Sequence, residues 1–250
     1  MSAPDWLTAR PVAHRGYHDR GAGRIENTLA AASAAVARGF SIEVDLQTTA
    51  DERVVVFHDD TLDRLTEASG PVERATLQQL KTARFRDGDQ RIPTLEELLD
   101  LVDGRVPLVI ELKGRWNSDR RLEQAVTTRL AKYAGPVALM SFDPASVAAV
   151  RRLAPHLPRG MIADRFPRDD WPQLSGPRRM ALRWLLAATR VLPNFIAYGV
   201  KALPASAPLA LRHFFRVPLL TWTVRTAADR ATARQWADQI IFEAFDPEAD

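Results

Sequence analysis

The sequence predicts an α/β protein, namely a (β/α)8 TIM barrel with a small insertion after the second strand. Two observations predict this fold: eight short apolar, β-rich segments, and the helical segments that alternate with them along 250 residues. Chains of this length commonly form one closed α/β barrel. We find no linker or low-complexity segment and expect residues 1–250 to form a single domain. An open, doubly wound parallel sheet is the alternative that the pattern leaves open.

The predicted strands and helices follow each other in regular order. The strands are Pro11–Arg15, Ser41–Thr48, Pro107–Lys113, Pro136–Phe142, Arg159–Ala163, Phe195–Val200, Pro218–Val224 and Gln239–Phe245. The helices are Thr28–Arg38, Thr94–Val102, Arg120–Ala134, Pro144–Leu153, Arg178–Leu192, Ala207–Phe215 and Ala227–Ala237. Several helix ends carry capping signals, such as Gly39 after the first helix, Thr94 at the start of the second, and Asp143 before Pro144.

The insertion spans about residues 49–90 and interrupts this order. It begins with an extra apolar strand, Val54–His58, and continues as a polar stretch in which Ser69, Gly70 and Pro71 indicate turns. Because active sites of barrel enzymes lie at the carboxyl ends of the strands, we expect this insertion to form a small flap on the catalytic face.

Composition excludes several classes of protein. The chain contains no cysteine, so disulfide scaffolds, thiolate zinc sites, iron–sulfur clusters and cysteine nucleophiles are excluded. No apolar run approaches the ~18 residues of a membrane span. Met1–Arg10 lacks the apolar region of a secretory signal, so we expect a cytoplasmic protein.

Basic residues are concentrated in one region, although the formal net charge is only +3. Between Arg165 and Arg216 there are nine Lys or Arg and two Asp. Residues 178–192 combine arginines with large apolar side chains. This combination is typical of a helix that contacts a membrane surface, or of an ordinary barrel helix with a solvated basic face. No nucleic-acid-binding motif is present, so we expect no nucleic-acid partner.

Acidic side chains interrupt the apolar pattern of two neighbouring strands. Strand side chains alternate, so Glu43 and Asp45 share one face of the second strand, and Glu111 and Lys113 share one face of the third. If these faces look into the barrel, the carboxylates repel each other until protons or a cation neutralise them. All-oxygen ligation suits Mg2+ or Ca2+. Alternatively, Glu43 and Asp45 pair with arginines of the helix layer.

Two histidines follow strands at the same predicted edge. His14 ends the first strand next to Arg15, and His58 ends the extra strand next to Asp59. Imidazoles on both sides of a metal suit general acid and base work near neutral pH, and Arg15 and Lys113 suit a phosphate. The pattern therefore predicts phosphoester displacement, with His14 and His58 as the catalytic residues.

Other candidate residues have two interpretations each. Phe142 and Trp222 lie on later strands, where they either fill the core or form an apolar wall for a ligand. His18, His156 and His213 lie in polar or basic stretches, and we expect surface or packing roles for them.

On the basis of these residues and the motifs around them, the chain resembles the glycerophosphodiester phosphodiesterase family. The matching fragments are His14-Arg15-Gly16, Glu26-Asn27-Thr28, Glu43-Val44-Asp45, His58-Asp59, Leu62-Asp63-Arg64 with Gly70, Ile92-Pro93-Thr94-Leu95, Glu111-Leu112-Lys113, Ser141-Phe142 and Trp222-Thr223-Val224. Each fragment is short, but the series in this order is specific, and it extends from about Val12 to Val224.

The resemblance implies a set of roles for these residues. It implies that Glu43, Asp45 and Glu111 bind a divalent ion, Mg2+ or Ca2+, and that His14 and His58 are the acid/base pair. It places Arg15 and Lys113 near the phosphate, and we take Phe142 and Trp222 as further substrate-binding candidates. The implied reaction converts a small-molecule glycerophosphodiester to sn-glycerol 3-phosphate and an alcohol, through attack by the neighbouring glycerol hydroxyl and a cyclic phosphate.

Three positions depart from the family's usual residues. Ile25 replaces a proline before Glu-Asn-Thr, Arg225 replaces an asparagine after Trp-Thr-Val, and Ile241-Phe242-Glu243 replaces a strand end that is usually Thr-Asp. We expect none of these residues to touch the proposed metal or acid/base set. We therefore expect them to alter the alcohol pocket and the substrate, and not the reaction.

Two other functions remain open at this point. A lysophospholipase D, or another lipid-directed phosphodiesterase or lyase on the same scaffold, would use residues 178–192 at a membrane surface. A catalytically silent module that binds phosphorylated ligands would need cations but not two titratable imidazoles. The sequence does not indicate an oligomeric state.

Overall fold

The computed structural model describes residues 2–249. The strands are β1 Val12–Ala13, β2 Ser41–Thr48, β3 Val54–Val56, β4 Leu108–Leu112, β5 Val137–Ser141, β6 Arg159–Ala163, β7 Phe195–Gly199, β8 Leu219–Val224 and β9 Gln239–Phe242. The α-helices are α1 Trp6–Ala9, α2 Leu29–Arg38, α3 Leu77–Thr82, α4 Leu95–Val102, α5 Arg121–Leu130, α6 Pro144–Leu153, α7 Gly176–Arg183, α8 Ala188–Val191, α9 Ser206–Phe215 and α10 Ala227–Trp236.

The parallel strands close into a barrel. Strand β1 pairs in parallel with both β2 and β9, and this double pairing joins the two ends of the series β2-β4-β5-β6-β7-β8-β9. Strand β3 is antiparallel to the last part of β2 and lies outside the ring. The predicted closed barrel with an insertion after the second strand is therefore confirmed, and the open-sheet alternative is wrong.

The barrel interior is closed at the amino ends of the strands. Val12, Val109, Phe195 and Ile241 belong to one buried apolar cluster, and Leu7 of α1 joins it. Helix α1, which the sequence analysis did not predict, is tied to β9 by a hydrogen bond from the Gln239 side chain to the Thr8 carbonyl (2.8 Å). With α1 packed here, the polar cleft described below lies at the carboxyl ends.

The insertion between β2 and α4 has an apolar core of its own. This core includes Phe57, Leu62, Leu65, Val72 and Leu80, all of them buried. The Phe57 amide donates to the Asp45 carbonyl (3.0 Å), so the end of β3 stays against β2. The insertion therefore holds the residues that follow β3 at the carboxyl edge of the barrel.

Local signals at the helix ends agree with the structure. Gly39 adopts a positive φ of 66° after α2. Thr94 and Glu97 form a reciprocal capping box at the start of α4, and the Asp143 side chain accepts a hydrogen bond from the Ala145 amide at the start of α6. Several predicted elements are longer than the observed ones. The last strand, for example, was predicted over Gln239–Phe245 and ends at Phe242.

The prediction of one helix over Arg178–Leu192 is wrong. The chain forms α7 and α8 with a turn between them, where Leu185 has a positive φ of 54°. The turn lets Leu185 and Val191 both reach the buried cluster beneath the helices, while Trp184 and Leu186 stay at the surface. Among residues 2–249, no helix has the length and apolar character that a membrane crossing requires.

Candidate active site

A cleft of about 1700 Å³ opens at the carboxyl ends of the barrel strands. Parallel strands bring their carboxyl ends to one edge, so residues distant in sequence meet there. All the predicted site residues line this cleft: His14, Arg15, Glu43, Asp45, His58, Glu111, Lys113, Phe142 and Trp222.

Three carboxylates lie together at the floor of the cleft. Asp45 of β2 is directly opposite Glu111 of β4 in the sheet register, and Glu43 lies two residues before Asp45 on the same face. One oxygen from each carboxylate lies within 4.8 Å of the other two, and all three residues are buried. Glu43 and Asp45 face the cleft, so the alternative in which they pair with arginines of the helix layer is wrong.

Positive charge compensates this cluster only in part. Lys113 Nζ lies 2.9 Å from both Asp45 Oδ1 and Glu111 Oε1. Burial would raise the pKa of Asp45, but the charges of Lys113, His58 and Arg15 hold it below its ordinary value.

The pKa values of the other two carboxyl groups, Glu43 and Glu111, shift in the opposite direction. Burial and the charges of Asp45 and Glu111 raise the pKa of Glu43 well above its ordinary value. Burial also raises the pKa of Glu111, although Lys113 opposes the shift. In both residues the raised pKa means that burial and the neighbouring carboxylates outweigh the nearby positive charge. An all-oxygen set of this kind fits a hard divalent cation.

A sharp turn after β1 brings Arg15 into the cluster. Arg15 and Gly16 both have positive φ, 54° and 78°. A Cβ on Gly16 would lie 2.8 Å from the Cβ of Ala31, so the close approach of the turn to α2 requires glycine. The turn places the Arg15 amide 3.0 Å from Glu43 Oε2 and Arg15 Nε 3.7 Å from Asp45 Oδ2.

A continuous chain of ion pairs leads from Arg15 to the second histidine. Arg15 pairs with Glu26 (2.6 Å), and Glu26 pairs with Arg64 (2.7 Å). Arg64 pairs with Asp59 (2.5 Å), whose Oδ1 lies 2.7 Å from His58 Nδ1. Glu26 and Arg64 are not among the predicted site residues, because 38 residues separate them and only the folded insertion brings them together.

The first histidine has a carboxylate partner that sequence reasoning missed. His14 Nδ1 lies 2.5 Å from Glu243 Oε2, and His14 Nε2 lies 3.8 Å from Glu43 Oε2. Burial lowers the pKa of His14 to about 4, although the hydrogen bond with Glu243 opposes this shift. Burial would raise the pKa of Glu243, but its hydrogen bonds with His14 and His18 hold it far below its ordinary value.

Two departures from the family's usual residues therefore contact the predicted acid/base residue His14, directly or through one partner, and our expectation that they stay clear of this set is wrong. Glu243 contacts His14, and Arg225 pairs with Glu243 Oε1 at 2.5 Å. Glu243 is the first residue after β9, and ring closure makes β9 the neighbour of β1. His18, for which we expected a surface or packing role, lies 3.5 Å from the same carboxylate. His156 and His213 are exposed, as expected.

The two imidazoles share one arrangement. Each has its Nδ1 next to a carboxylate, Glu243 for His14 and Asp59 for His58. The side chain of Gln47 donates to the carbonyls of Phe57 and Asp59, which fixes the backbone on both sides of His58. A carboxylate on Nδ1 favours the tautomer with the proton at Nδ1 and leaves Nε2 available for proton transfer.

Aromatic side chains form another part of the cleft lining, which we call the aromatic wall. The Phe142 ring centroid lies 5.4 Å from that of Trp222, 5.0 Å from that of Trp171 and 6.1 Å from that of Phe166. Phe142 and Trp222 therefore line the cleft and pack against each other. Phe166 and Trp171 come from the loop between β6 and α7, where no periodic pattern marks them in the sequence.

Carboxylates, imidazoles and cations around one cleft are the groups that hydrolysis of a phosphoric diester uses. The comparisons with known proteins agree, and the protein is a phosphoric diester hydrolase. More narrowly, the chain belongs to the glycerophosphoryl diester phosphodiesterase family, which it matches over residues 14–248.

Individual relatives agree with this assignment. The chain is 34% identical to YhdW of Bacillus subtilis (strain 168) over 183 residues, which are 69% of this chain and 71% of that protein. It is 35% identical to a glycerophosphodiester phosphodiesterase of Caldanaerobacter subterraneus over 161 residues, 60% of this chain and 65% of the relative.

A solved structure shows the same fold. An Oleispira antarctica phosphodiesterase, in complex with the product sn-glycerol-3-phosphate, superposes with a TM-score of 0.75 at 20% sequence identity. The superposition covers 95% of this chain and 94% of that one.

Proposed function

We propose that the protein hydrolyses glycerophosphodiesters to sn-glycerol 3-phosphate and an alcohol, in a reaction that depends on a divalent metal ion. The observation that carries this proposal is the buried cluster of Glu43, Asp45 and Glu111, whose oxygens lie within 4.8 Å of one another beside His14. Membership of the family and the product held by the Oleispira antarctica relative support the substrate class.

The three carboxylates would hold the ion. Burial and neighbouring carboxylates raise the pKa values of Glu43 and Glu111, and the oxygens of all three residues suit Mg2+ and Ca2+ alike. When bound, the ion supplies positive charge that offsets the charge on the phosphate oxygens. Arg15 and Lys113, which border the same cluster, would provide further positive charge for the phosphate.

His14 and His58 would move the protons. Nε2 of one imidazole takes the proton from the attacking glycerol hydroxyl, and Nε2 of the other gives a proton to the oxygen of the departing alcohol. The attack forms a cyclic phosphate, and water then opens this ring to give sn-glycerol 3-phosphate. Glu243 and Asp59 hold the two rings in place through Nδ1.

Phe142 and Trp222 would contact the alcohol part of the substrate. In a lysophospholipid the acyl chain is attached to the glycerol and not to the alcohol, and the apolar wall offers a surface to such a chain as an alternative to the alcohol part. This observation supports a lysophospholipase D reaction as the second candidate function, because the same groups would perform the same displacement.

Assays with a substrate panel test both candidates. We expect EDTA to abolish release of glycerol 3-phosphate from glycerophosphocholine or a related diester, and we expect Mg2+ or Ca2+ to restore it. Faster turnover of lysophosphatidylcholine than of every water-soluble diester would favour the second candidate. Full activity in chelator across the panel would contradict metal dependence, and no release of glycerol 3-phosphate or lysophosphatidic acid with any metal would contradict both functions.

A further inference from the structure

Exposed apolar side chains are concentrated in one part of the molecule. Seven large apolar side chains of the described residues are exposed, and all lie between residues 153 and 215. Phe214 and Phe215 are 82% and 71% exposed, and Leu192 and Leu153 are 50% and 40% exposed. Exposed neighbouring phenylalanines have no stabilising role in a fold, so this surface points to an interaction.

Four of these side chains lie at the same end of the barrel. Leu153 ends α6 before β6, Leu192 follows α8 before β7, and Phe214 and Phe215 end α9 before β8. Strands β6, β7 and β8 are parallel neighbours, so the residues that precede them meet at the amino end of the barrel, opposite the cleft. We call Leu153, Leu192, Phe214 and Phe215 the amino-end patch.

Arginines surround the amino-end patch. Arg151, Arg152, Arg190 and Arg216 are exposed at the ends of the same three helices. The Arg151 side chain donates to the Arg190 carbonyl (2.6 Å) and so ties the end of α6 to the end of α8. Within residues 2–249, none of these four guanidinium groups has a carboxylate within ion-pair distance, whereas Arg212 on the inner side of α9 pairs with Asp238.

Acidic residues are absent from the sequence around this surface. Residues 144–163 contain three Lys or Arg and no Asp or Glu, and residues 171–228 contain eight Lys or Arg and no Asp or Glu. The chain as a whole has 34 basic and 31 acidic residues, so this separation is not a general property of its composition. Of these basic residues, Arg151, Arg152, Arg190 and Arg216 lie around the amino-end patch, and their unpaired guanidinium groups favour a positive potential there.

We propose that the amino-end patch docks the protein on an anionic lipid surface. Phenylalanine and leucine side chains enter the boundary between headgroups and acyl chains, while arginines beside them bind lipid phosphates. A second copy of the chain is a poorer occupant, because a symmetric contact would bring two sets of unpaired arginines together. Nucleic acid would leave the exposed phenylalanines without a partner of matching chemistry.

Docking in this way leaves the cleft facing the solvent, because the cleft and the patch lie at opposite ends of the barrel. The proposal does not rest on the proposed function, since none of the patch residues lines the cleft. It also predicts that binding to vesicles leaves the hydrolysis of a water-soluble diester unchanged.

Vesicle flotation tests the proposal. The wild-type protein should float with phosphatidylcholine vesicles that contain phosphatidylglycerol, stay behind with pure phosphatidylcholine, and be released by high salt. The double variant Phe214→Ser/Phe215→Ser should lower the bound fraction by about 10-fold or more, because it removes the apolar contribution to binding. Arg190→Glu/Arg216→Glu should have an effect of similar size.

A matched control distinguishes the effect of the patch on binding from the effect of the overall charge. Arg74→Glu/Arg84→Glu makes the same change of charge at exposed arginines of the insertion, and it should retain most of the binding. Thermal unfolding and turnover of a water-soluble diester should be the same in all these variants.

Several outcomes would overturn the proposal. These are no binding to anionic vesicles, equal binding to neutral vesicles, or equal loss in the patch and control variants. Self-association of the wild type in sedimentation velocity, abolished by Phe214→Ser/Phe215→Ser without any vesicle binding, would assign the patch to contacts between copies instead.

Discussion

The two walls of the cleft are built by different kinds of interaction. On the charged wall, hydrogen bonds and ion pairs hold each group, as when Asp45 accepts from the Asn27 side chain at 2.8 Å and pairs with Lys113 at 2.9 Å. On the aromatic wall, ring contacts hold Phe142, Trp171 and Trp222, with centroid distances between 5.0 and 5.4 Å.

We expect this difference to divide the residues into those that affect the reaction and those that affect the choice of substrate. A buried charge loses its compensation when one partner is removed, so the charged wall tolerates few changes. An aromatic wall can change shape while it stays apolar. We therefore expect substitutions on the charged wall to affect turnover of every substrate, and substitutions on the aromatic wall to affect substrates differently.

The largest effect should come from the two imidazoles. His14→Ala and His58→Ala should each lower kcat by about 10²–10⁴-fold, because each variant removes one proton-transfer group. Turnover of glycerophosphocholine with saturating metal checks this. His156→Ala, at an exposed histidine outside the cleft, is the matched control and should behave as wild type. A near-normal rate in either cleft variant would remove that residue from the acid/base pair.

A smaller effect should follow from the carboxylate that positions His14. Glu243→Gln keeps the size of the side chain but removes the charge next to Nδ1, so we expect kcat to fall by about 10–10²-fold with little change in KM. Glu243→Asp should recover part of the loss. If Glu243→Gln changed only KM, Glu243 would bind substrate rather than hold His14.

The aromatic wall should give effects of about 10-fold in kcat/KM, and these should depend on the substrate. If Phe142 and Trp222 contact the alcohol part, the losses of Phe142→Ala and Trp222→Ala should differ between glycerophosphocholine and glycerophosphoglycerol. Lysophosphatidylcholine has the same alcohol as glycerophosphocholine, so a different loss for it would come from contacts with its acyl chain. Equal losses for all three substrates would contradict the division between the walls.

The smallest effect concerns stability and pH. The pKa of His14 is about 4 in the fold and 6.5 in its ordinary state, so between these values the unfolded chain binds more protons. Stability should therefore fall as the pH falls through this window. In chelator, urea unfolding of His14→Gln should show a weaker fall than wild type, whereas Phe142→Leu should match wild type. An identical pH dependence in His14→Gln would contradict the lowered pKa.

The residues that were predicted to meet do line one cleft wherever they lie on a strand or directly after one. The period of two put Glu43 and Asp45 on one face, and the common carboxyl edge of parallel strands brought His14 and Glu111 to the same cleft. Both rules depend only on the position of a residue along its own strand, so the sequence alone is sufficient to apply them.

Contacts that depend on closure or on loops were not predicted. Glu243 reaches His14 only because β9 pairs with β1, a contact between residues 229 positions apart. Trp171 joins the aromatic wall from a loop, and Glu26 meets Arg64 only through the folded insertion. No periodic pattern marks such pairs, because their partners are set by the tertiary fold.

Calorimetry on the carboxylate cluster tests the central claim most directly. Titration of Ca2+ or Mg2+ into the wild type should show one binding site, and Glu111→Gln should abolish both this binding and turnover. The control Glu73→Gln, at another carboxylate of the cleft that pairs with Arg115, should retain both. Metal binding and turnover that survive in Glu111→Gln would contradict the account.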